Sequence, residues 1–513
     1  MPSQVSRALK FVGIGFLIGG LGGAGWYLVQ VRGRGSVGDT VTPTRLFEQV
    51  LSHVQNFGVD SLGETEIFRR AAEGLVRELD DEYAALIPAG ASLDGPTDAG
   101  GLGLMLFVRR ERTIVQRVLP GSPAEKAGLW AGDEIISVGE AAPTGVGREA
   151  VRETLDGAPG STVAIEARRP GVPDTLRFSL RREGPRDHLL SERIDLDGGV
   201  AYLSVGLIGP GLVPVLRRTL RDLPPSTRGL VLDLRGATGG TVEEAAAIAD
   251  LFLDEGTPIV TVRGRGDVIR HVNAEQGQLK PDLPITVLVD RATADAAEVL
   301  AGALQDDDRA LILGSPTFGR GSSQGDYPLG DRWTVRISTA RWETPLGRRI
   351  EPEAGGAPRD SVLERPSFTT GEGRRVLGGG GIVPDSLIDP PELSPAIQAL
   401  YRILGSAIPN FVVMTHEIAQ GLVRSAMTPG YLPTDNDLAS LMRRLTEEEL
   451  RVPPHVVEEA REDLRELLGR EAVYARLGLA GVVRRMMASD RGTRMAVELL
   501  RNVRTPRELV LGR

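Results

Sequence analysis

The residues of this chain best placed for chemistry lie between Asp290 and Gln324. Pro284–Val289 reads PITVLV, a β-branched run that predicts a buried strand. Asp295-Ala-Ala-Glu298 then puts an acceptor at an N-cap and a glutamate three residues on, with Val299, Leu300, Ala303 and Leu304 repeating on one helical face. ALILG (Ala310–Gly314) predicts the next strand, and TFGRGSSQ after it is a glycine-rich turn carrying Arg320 and Gln324. Strand, helix and strand in this order make a βαβ unit. Ligands of such units sit at strand carboxyl ends and helix N-termini, which here means Thr293–Asp295. A carboxylate at a helix N-terminus is a weak nucleophile, held ionised by the positive end of the helix dipole. A guanidinium, with a pKa above about 12, accepts no proton. Asp295 is therefore a poor nucleophile and Arg320 no base.

Two other hydroxyls compete for a catalytic role. Gly321-Ser-Ser323-Gln-Gly325 satisfies G-x-S-x-G, but a nucleophile elbow needs a helix after it, and DYPLGDRWTVRISTARW reads as strand. Thr293, two residues before Asp295, is the better candidate for a displaced nucleophile, although no base is evident for it. The histidines (His53, His188, His271, His416, His455) are scattered, with no H-E-x-x-H, and the chain has no cysteine. This composition predicts no zinc site, no disulfide and no cofactor. A net charge of −9 argues against nucleic acid as a partner.

The 513 residues suggest three or four domains. Residues 11–31 form an uncharged apolar run, long enough for a membrane span of about 20 residues. No clean A-x-A site follows, so an uncleaved anchor is expected rather than a removed signal peptide. Arg7 and Lys10 before it equal Arg32 and Arg34 after it in number, so charge leaves the orientation open. Gly15, Gly19 and Gly23 make a G-x-x-x-G ladder that either pairs helices or reflects a glycine-rich run. After a polar linker at 33–40, helical spacing joins Leu46, Val50, Leu51 and Val54, then Phe68, Ala71, Leu75 and Leu79. LDDEYAALIP (Leu79–Pro88) reads as the end of that helical module, Glu353–Gly380 as a long Gly/Pro-rich loop, and Pro390–Arg513 as helical. In that tail Asp435-Asn-Asp437 is placed to cap Leu438, Leu441, Met442 and Leu445, and Val456–Leu468 makes a second amphipathic face.

Ordered motifs carry two resemblances. GLGL (Gly101, Leu102, Gly103, Leu104), GSPAEKAGL (Gly121–Leu129) and GDEIISVGE (Gly132–Glu140) resemble a PDZ domain, with GLGL as its carboxylate-binding loop. This implies capture of polypeptide C-terminal tails by converging backbone N–H groups; an inert spacer is the other reading. The remainder resembles the C-terminal processing (tail-specific) serine peptidases. Asp233, Leu234, Arg235, Gly239 and Gly240 match that family's oxyanion-region DLRNNPGG, with Gly236-Ala237-Thr238 replacing N-N-P. Glu298, Gln305, Asp306, Thr317, Phe318, Gly319, Gly321 and Gln324 match its catalytic segment, and GGIVPD (Gly380–Asp385) its closing motif. The family's nucleophilic serine falls on Asp295 and its lysine base on Arg320, at the family's separation of 320 − 295 = 25 residues. The resemblance therefore implies an aligned frame without its dyad, the two positions free to fill it with an ion pair between Asp295 and Arg320, flanked by the retained Asp306 and Gln324.

The implied fold is an α/β core of the ClpP and crotonase kind with an inserted β-rich PDZ domain, a helical N-terminal module and a helical C-terminal tail. The expected boundaries are a cytoplasmic N-terminus at 1–10, a transmembrane anchor at 11–31, and the N-terminal helical module at 42–95. The PDZ domain follows at 98–184, the peptidase-like core at 185–389 (interrupted around the PDZ by the N-terminal module), and a C-terminal helical domain at 390–513. The expected function is that of a bacterial inner-membrane, periplasm-facing pseudopeptidase acting as scaffold, adaptor or regulatory subunit. Its expected partners are C-terminal tails, an active homologous peptidase or envelope complex, and further subunits of a homo- or hetero-oligomer. The alternative is an active peptidase with a relocated nucleophile.

Overall fold

The structure is a computed structural model. It describes residues 42–59, 62–88, 101–109, 112–118, 122–130, 133–139, 155, 157–169, 172–183, 193–209, 211–266, 268–330, 332–351, 365–388, 393–422, 427–447, 450 and 452–512. The apolar run 11–31, its glycine ladder and the linker 33–40 lie outside these. Among the described residues no helix is long and apolar enough to cross a membrane. The chain divides into two compact units, residues 1–72 and 73–513. The first contains α1 (Pro43–Phe57), opened by a proline in its first turn. It also contains the start of α2 (Glu64–Arg77), whose Glu64 and Glu66 face the positive end of the helix dipole.

In the second unit the stretch after α2 is not a plain helix end. It turns at Asp81, whose carboxylate accepts the N–H and hydroxyl of Ser338 at 2.6 and 2.9 Å, and becomes strand β1 (Ala85–Pro88). An antiparallel sheet follows, in the order β2 (Leu104–Arg109), β3 (Arg112–Val118), β4 (Glu134–Val138), β5 (Thr162–Arg168), β6 (Thr175–Arg181). Side chains along β6 alternate exposed and buried, as period-two patterning requires of a sheet with one wet face. Between β3 and β4, α3 (Pro123–Ala127) is capped by Ser122, whose hydroxyl accepts Glu125 N–H at 3.2 Å.

The core begins with β7 (Ile194–Leu196), β8 (Val200–Ser204), α4 (Leu212–Arg221), β9 (Gly229–Asp233) and α5 (Val242–Ala249). The hairpin β10 (Pro258–Gly264) and β11 (Ile269–Asn273) leads to β12 (Ile285–Val289), α6 (Ala296–Asp306) and β13 (Leu311–Gly314). Then come β14 (Ser322–Leu329), β15 (Trp333–Glu343), β16 (Ser367–Thr369), β17 (Arg375–Leu377) and β18 (Ser386–Leu387). One sheet runs β18-β13-β12-β9-β8-β7; all its neighbours are parallel except the β7–β8 edge pair. The second runs β1-β15-β10-β11, with β14 on the other side of β15. The βαβ reading of β12-α6-β13 holds, with two corrections nearby. Every residue of α6 is buried, so it has no solvent face and its apolar residues are not confined to one stripe. The expected loop at 353–380 contains the antiparallel pair β16–β17, because Arg348 inside the fold donates to Leu377 O and ties that segment down.

The tail comprises α7 (Pro395–Leu404), α8 (Ile408–Gly421), α9 (Asp435–Glu447), α10 (Pro454–Glu459), α11 (Arg461–Ser489), α12 (Arg491–Asn502) and α13 (Pro506–Leu511). The Asp435 cap is corrected: Asp435 lies inside α9 and binds Arg465 at 2.7 Å, while Asp437 reaches back to Thr434 N–H at 2.7 Å. These helices do not stand apart. Leu400, Phe411, Leu441, Leu464 and Leu468 share one buried cluster with Leu104, Ile135, Ile165 and Leu176 of the antiparallel β2–β6 sheet. Further on, Val483, Val497 and Leu500 pack with Tyr202, Val231 and Leu288 on one face of the parallel sheet.

Candidate active site

The carboxyl ends of β9 and β12 present two turns, and carboxylates tie both together. Asp290 Oδ1 accepts the N–H groups of Gly236, Ala292 and Thr293 at 2.8, 3.0 and 2.9 Å. This holds the turn after β12 against the one after β9. Ala294 N–H then donates to Ala237 O at 2.9 Å, and Ala296 N–H to Gly239 O at 3.2 Å. At Gly240, φ is +76° and a Cβ would lie 2.5 Å from Ile208, so only glycine fits there.

Asp295 sits where these turns meet the start of α6. It is not the side-chain N-cap that the sequence suggests: its φ of 59° and ψ of −130° turn the carboxylate away from the helix. One oxygen, Oδ2, accepts the Thr238 hydroxyl at 2.6 Å and the Gly239 N–H at 2.9 Å. The other, Oδ1, lies 2.7 Å from Nη1 of Arg320. Both side chains are about nine-tenths buried, at 7% and 10% exposure. A non-glycine residue at such a φ costs about 1–3 kcal/mol and persists where its surroundings over-determine it. Three polar partners on one carboxylate supply that constraint.

Arg320 is held from several sides. Its Nη2 donates to Gln324 Oε1 at 3.3 Å, and its guanidinium lies 5.0 Å from the centre of the Tyr83 ring. Its own N–H donates to Glu298 Oε2 at 2.8 Å. Glu298 is fully buried, and its Oε1 accepts the Thr317 hydroxyl and the Gly319 N–H, both at 2.6 Å. Burial pushes its carboxyl up to about 7, against the hydrogen bonds to Thr317, Arg320 and Gly319, which favour the charged form. Glu298 therefore staples the turn that delivers Arg320. The sequence marks Glu298 as the third residue of a capping box and as a match to the family's catalytic segment, and Thr238 as a departure in the oxyanion region; the structure shows what each one bonds and adds Tyr83 to the site.

The remaining candidates divide. Gln324 and Gly239 bond to the ion pair, while Gly240 packs against Ile208 and Ala296. Asp306 is at the far end of α6, away from the ion pair, pairing with Arg348 and accepting Leu346 N–H at 3.0 Å. Thr293 is fully buried; its hydroxyl donates to Leu234 O at 2.8 Å and accepts Asp290 N–H at 3.0 Å. Ser323 accepts Trp342 Nε1–H at 2.7 Å and lies at the start of β14, with no helix following. Gly101, Leu102, Gly103 and Leu104 belong to the antiparallel β2–β6 module, with φ of +64° and +75° at the two glycines. Among the described residues no group of three or more His, Asp or Glu could hold a metal ion.

This geometry defines a mixed α/β core with its site at strand ends and a helix start, joined to a separate antiparallel β module, and comparison with known proteins says what each resembles. Residues 200–361 match peptidase family S41 and residues 82–168 match the PDZ domain. A carboxyl-terminal-processing protease of Picosynechococcus sp. is 31% identical over 297 residues, covering 56% of this chain and 71% of that protein. A carboxy-terminal-processing protease of Bartonella bacilliformis is 30% identical over 331 residues, covering 62% and 75%. The solved photosystem II D1 C-terminal processing protease superposes with a TM-score of 0.52 at 25% identity, over 70% of this chain and 91% of that one. The chain belongs to the C-terminal processing protease family.

Proposed function

We propose that this chain is a catalytically silent member of that family. In this reading it binds polypeptide C-termini through its PDZ domain and works as a scaffold, adaptor or regulatory subunit. The observation that carries the reading is the buried Asp295–Arg320 pair at 2.7 Å, at the positions that resemble the family's serine and lysine. Acyl transfer needs an oxygen that forms an ester and a base that is neutral near pH 7. Here the carboxylate is ion-paired and the base position holds a guanidinium. Asp295 Oδ2 also accepts the Gly239 N–H, a donor that the resemblance assigns to the oxyanion region, so a substrate oxyanion would have to displace it. The uncharged run 11–31 supports anchoring in a bacterial inner membrane with the bulk of the chain in the periplasm. Persistence in membranes after high-salt washing tests that part.

The catalytic test is a set of three variants assayed on an unstructured polypeptide. Asp295→Ser alone stays inactive, because Arg320 takes no proton. Arg320→Lys alone stays inactive, because no hydroxyl faces it. The double variant regains slow cleavage. Cleavage by the unmodified protein, abolished by Thr293→Ala or Ser323→Ala, overturns the reading in favour of an active peptidase with a relocated nucleophile.

A further inference from the structure

The chain is acidic as a whole, with a net charge of −9, yet it has a cleft whose charged lining is mostly cationic. The cleft has a volume of about 710 Å³ and sets Arg228, Lys280, Arg501 and Arg504 against a single carboxylate, Asp282. Arg228 stands just before β9 and Lys280 shortly before β12, while Arg501 and Arg504 flank the end of α12. The cleft therefore opens at the amino ends of the parallel strands, whereas Asp295 and Arg320 pair beyond their carboxyl ends. The two sites are separate.

The fold gathers these cations without neutralising them. Among the described residues, no hydrogen bond or ion pair engages the side chains of Arg228, Lys280 or Arg504. Arg501 is held in place by its Nε and Nη2, which donate to Asp197 O at 3.1 and 2.8 Å. A Cβ on Gly198 would lie 2.7 Å from that Nε, so the glycine makes room for the guanidinium. The cleft's carbonyl oxygens, which would repel an anion, are already bonded to donors. Lys280 O accepts Arg309 Nη2 at 2.8 Å, Leu283 O accepts Arg309 Nη1 at 2.9 Å, and Pro224 O accepts Thr227 N–H at 2.9 Å. Burial pushes the Arg309 guanidinium down to about 10, against Asp307, Asp254 and Asp282, which favour its charged form. Asp282 is thus drawn to a cation outside the lining, and the lining keeps its excess of positive charge. Guanidinium groups meet phosphate oxygens with paired N–H donors, and several cations around one cleft suit a multiply charged ligand. A single carboxylate would leave most of their mutual repulsion in place.

We propose that this cleft binds the phosphoryl group of a multiply charged anion. The proposal stands apart from tail binding by the PDZ domain and from whether the site at Asp295 cleaves anything. The probe is pyrophosphate, titrated into the full chain by calorimetry at constant ionic strength, so that general screening stays fixed. The expected result is saturable binding of one pyrophosphate per chain. Combining Arg228→Gln with Lys280→Gln should raise its Kd about tenfold or more, as the loss of charge-assisted bonds implies. Arg402→Gln, which removes a cation from α7 outside the cleft, should leave Kd unchanged. Should the double variant melt early in chloride buffer, Arg504→Gln, in the turn between α12 and α13, carries the same comparison. Dihexanoylphosphatidate and glycerol phosphate present the same phosphate on a lipid and on a free molecule. Whichever displaces pyrophosphate at the lower concentration identifies the source, and either displacement supports the site. Absence of saturable binding, or equal weakening by Arg402→Gln, overturns it. Binding of a glutamate-rich peptide in preference to pyrophosphate overturns the phosphoryl ligand.

Discussion

The carboxylate of Glu298, fully buried on the first turn of α6, accepts the backbone N–H of Arg320 at 2.8 Å while its other oxygen takes Thr317 and Gly319. Three residues earlier on the chain, Asp295 takes the guanidinium of the same arginine. One helix start therefore holds both the main chain and the side chain of Arg320.

The first prediction follows from the protonation of Glu298. Its carboxyl is pushed up from 4.5 to about 7 by burial, so between those values the folded protein holds a proton that the unfolded chain has released. The stabilisation is complete below about pH 4.5 and is lost as pH rises through 7, a difference of about 3 kcal/mol at most at 1.36 kcal/mol per unit. Glu298→Gln has no such titration. The Tm of the variant relative to the parent should therefore climb from pH 5 to pH 8. A parallel pair of pH profiles would refute it.

The second concerns Asp295 itself. Removing one partner of a buried ion pair costs about 3–5 kcal/mol, because the other charge stays buried. Asp295→Ala should lose that much in chemical denaturation, as the 3.3 Å bond from Arg320 to Gln324 cannot replace the lost carboxylate. Asp295→Gly leaves the same charge exposed to the same fate but relaxes the φ of 59°. It should be less destabilised than the alanine variant by about 1 kcal/mol. Equal losses would mean that the backbone at 295 is not strained.

Much of this site was legible in the residues, and the illegible part has a definite origin. The β12-α6-β13 unit and the glycine turn follow from local pattern, whereas the meeting of Asp295 with Arg320 was legible only through the resemblance that aligns them with the family's dyad. What local pattern misjudged was the conformation of Asp295. As a good N-cap residue it was expected to bond its own helix, but Thr238, Gly239 and Arg320 compete for the carboxylate and win. Glu298 was misread for the same reason: its partners lie 19 to 22 residues on, beyond any capping rule. Leu79–Pro88 looked like a helix end because nothing near it in sequence shows that Trp333–Arg336 offers an open strand to pair with. The core shared by the tail helices and the antiparallel β2–β6 sheet joins segments more than two hundred residues apart. Amphipathic faces show that a partner exists and not which one.

That shared core supplies the third prediction. Phe411 and Leu400 are fully buried against the PDZ-type sheet, and Ser406 N–H donates to Asp174 at 3.3 Å. A chain ending at 389 should leave β5 and β6 poorly protected in hydrogen exchange, while β9 and β12 retain most of their protection. In the full chain, Phe411→Ala should cost about 3–5 kcal/mol through the cavity it leaves. Unchanged exchange of β5 and β6 in the shortened chain would show that the sheet folds without the tail.

The last prediction concerns the loop Gly101–Leu104. Its carbonyls are fixed: Gly101 O accepts Glu183 N–H at 3.2 Å and Leu102 O accepts Ala124 N–H at 3.0 Å. Leu102 and Leu104 are both fully buried, which anchors the loop to the sheet's core. The backbone between them turns through φ of +64° at Gly101 and +75° at Gly103, values that suit glycine and strain any other residue. If this loop captures a terminal carboxylate, affinity depends on the charge of that group and on the turn that receives it. C-terminal amidation of a bound peptide should then weaken binding by about 1–3 kcal/mol, the cost of leaving buried polar groups unpaired. That is a factor of about 5–150 in Kd, readable by calorimetry. Gly103→Ala should weaken the free acid and leave the residual affinity of the amide almost unchanged, because it disturbs the receiving turn and not the strand beside it. Equal affinity for acid and amide would remove the carboxylate from the recognition and leave the module as a spacer.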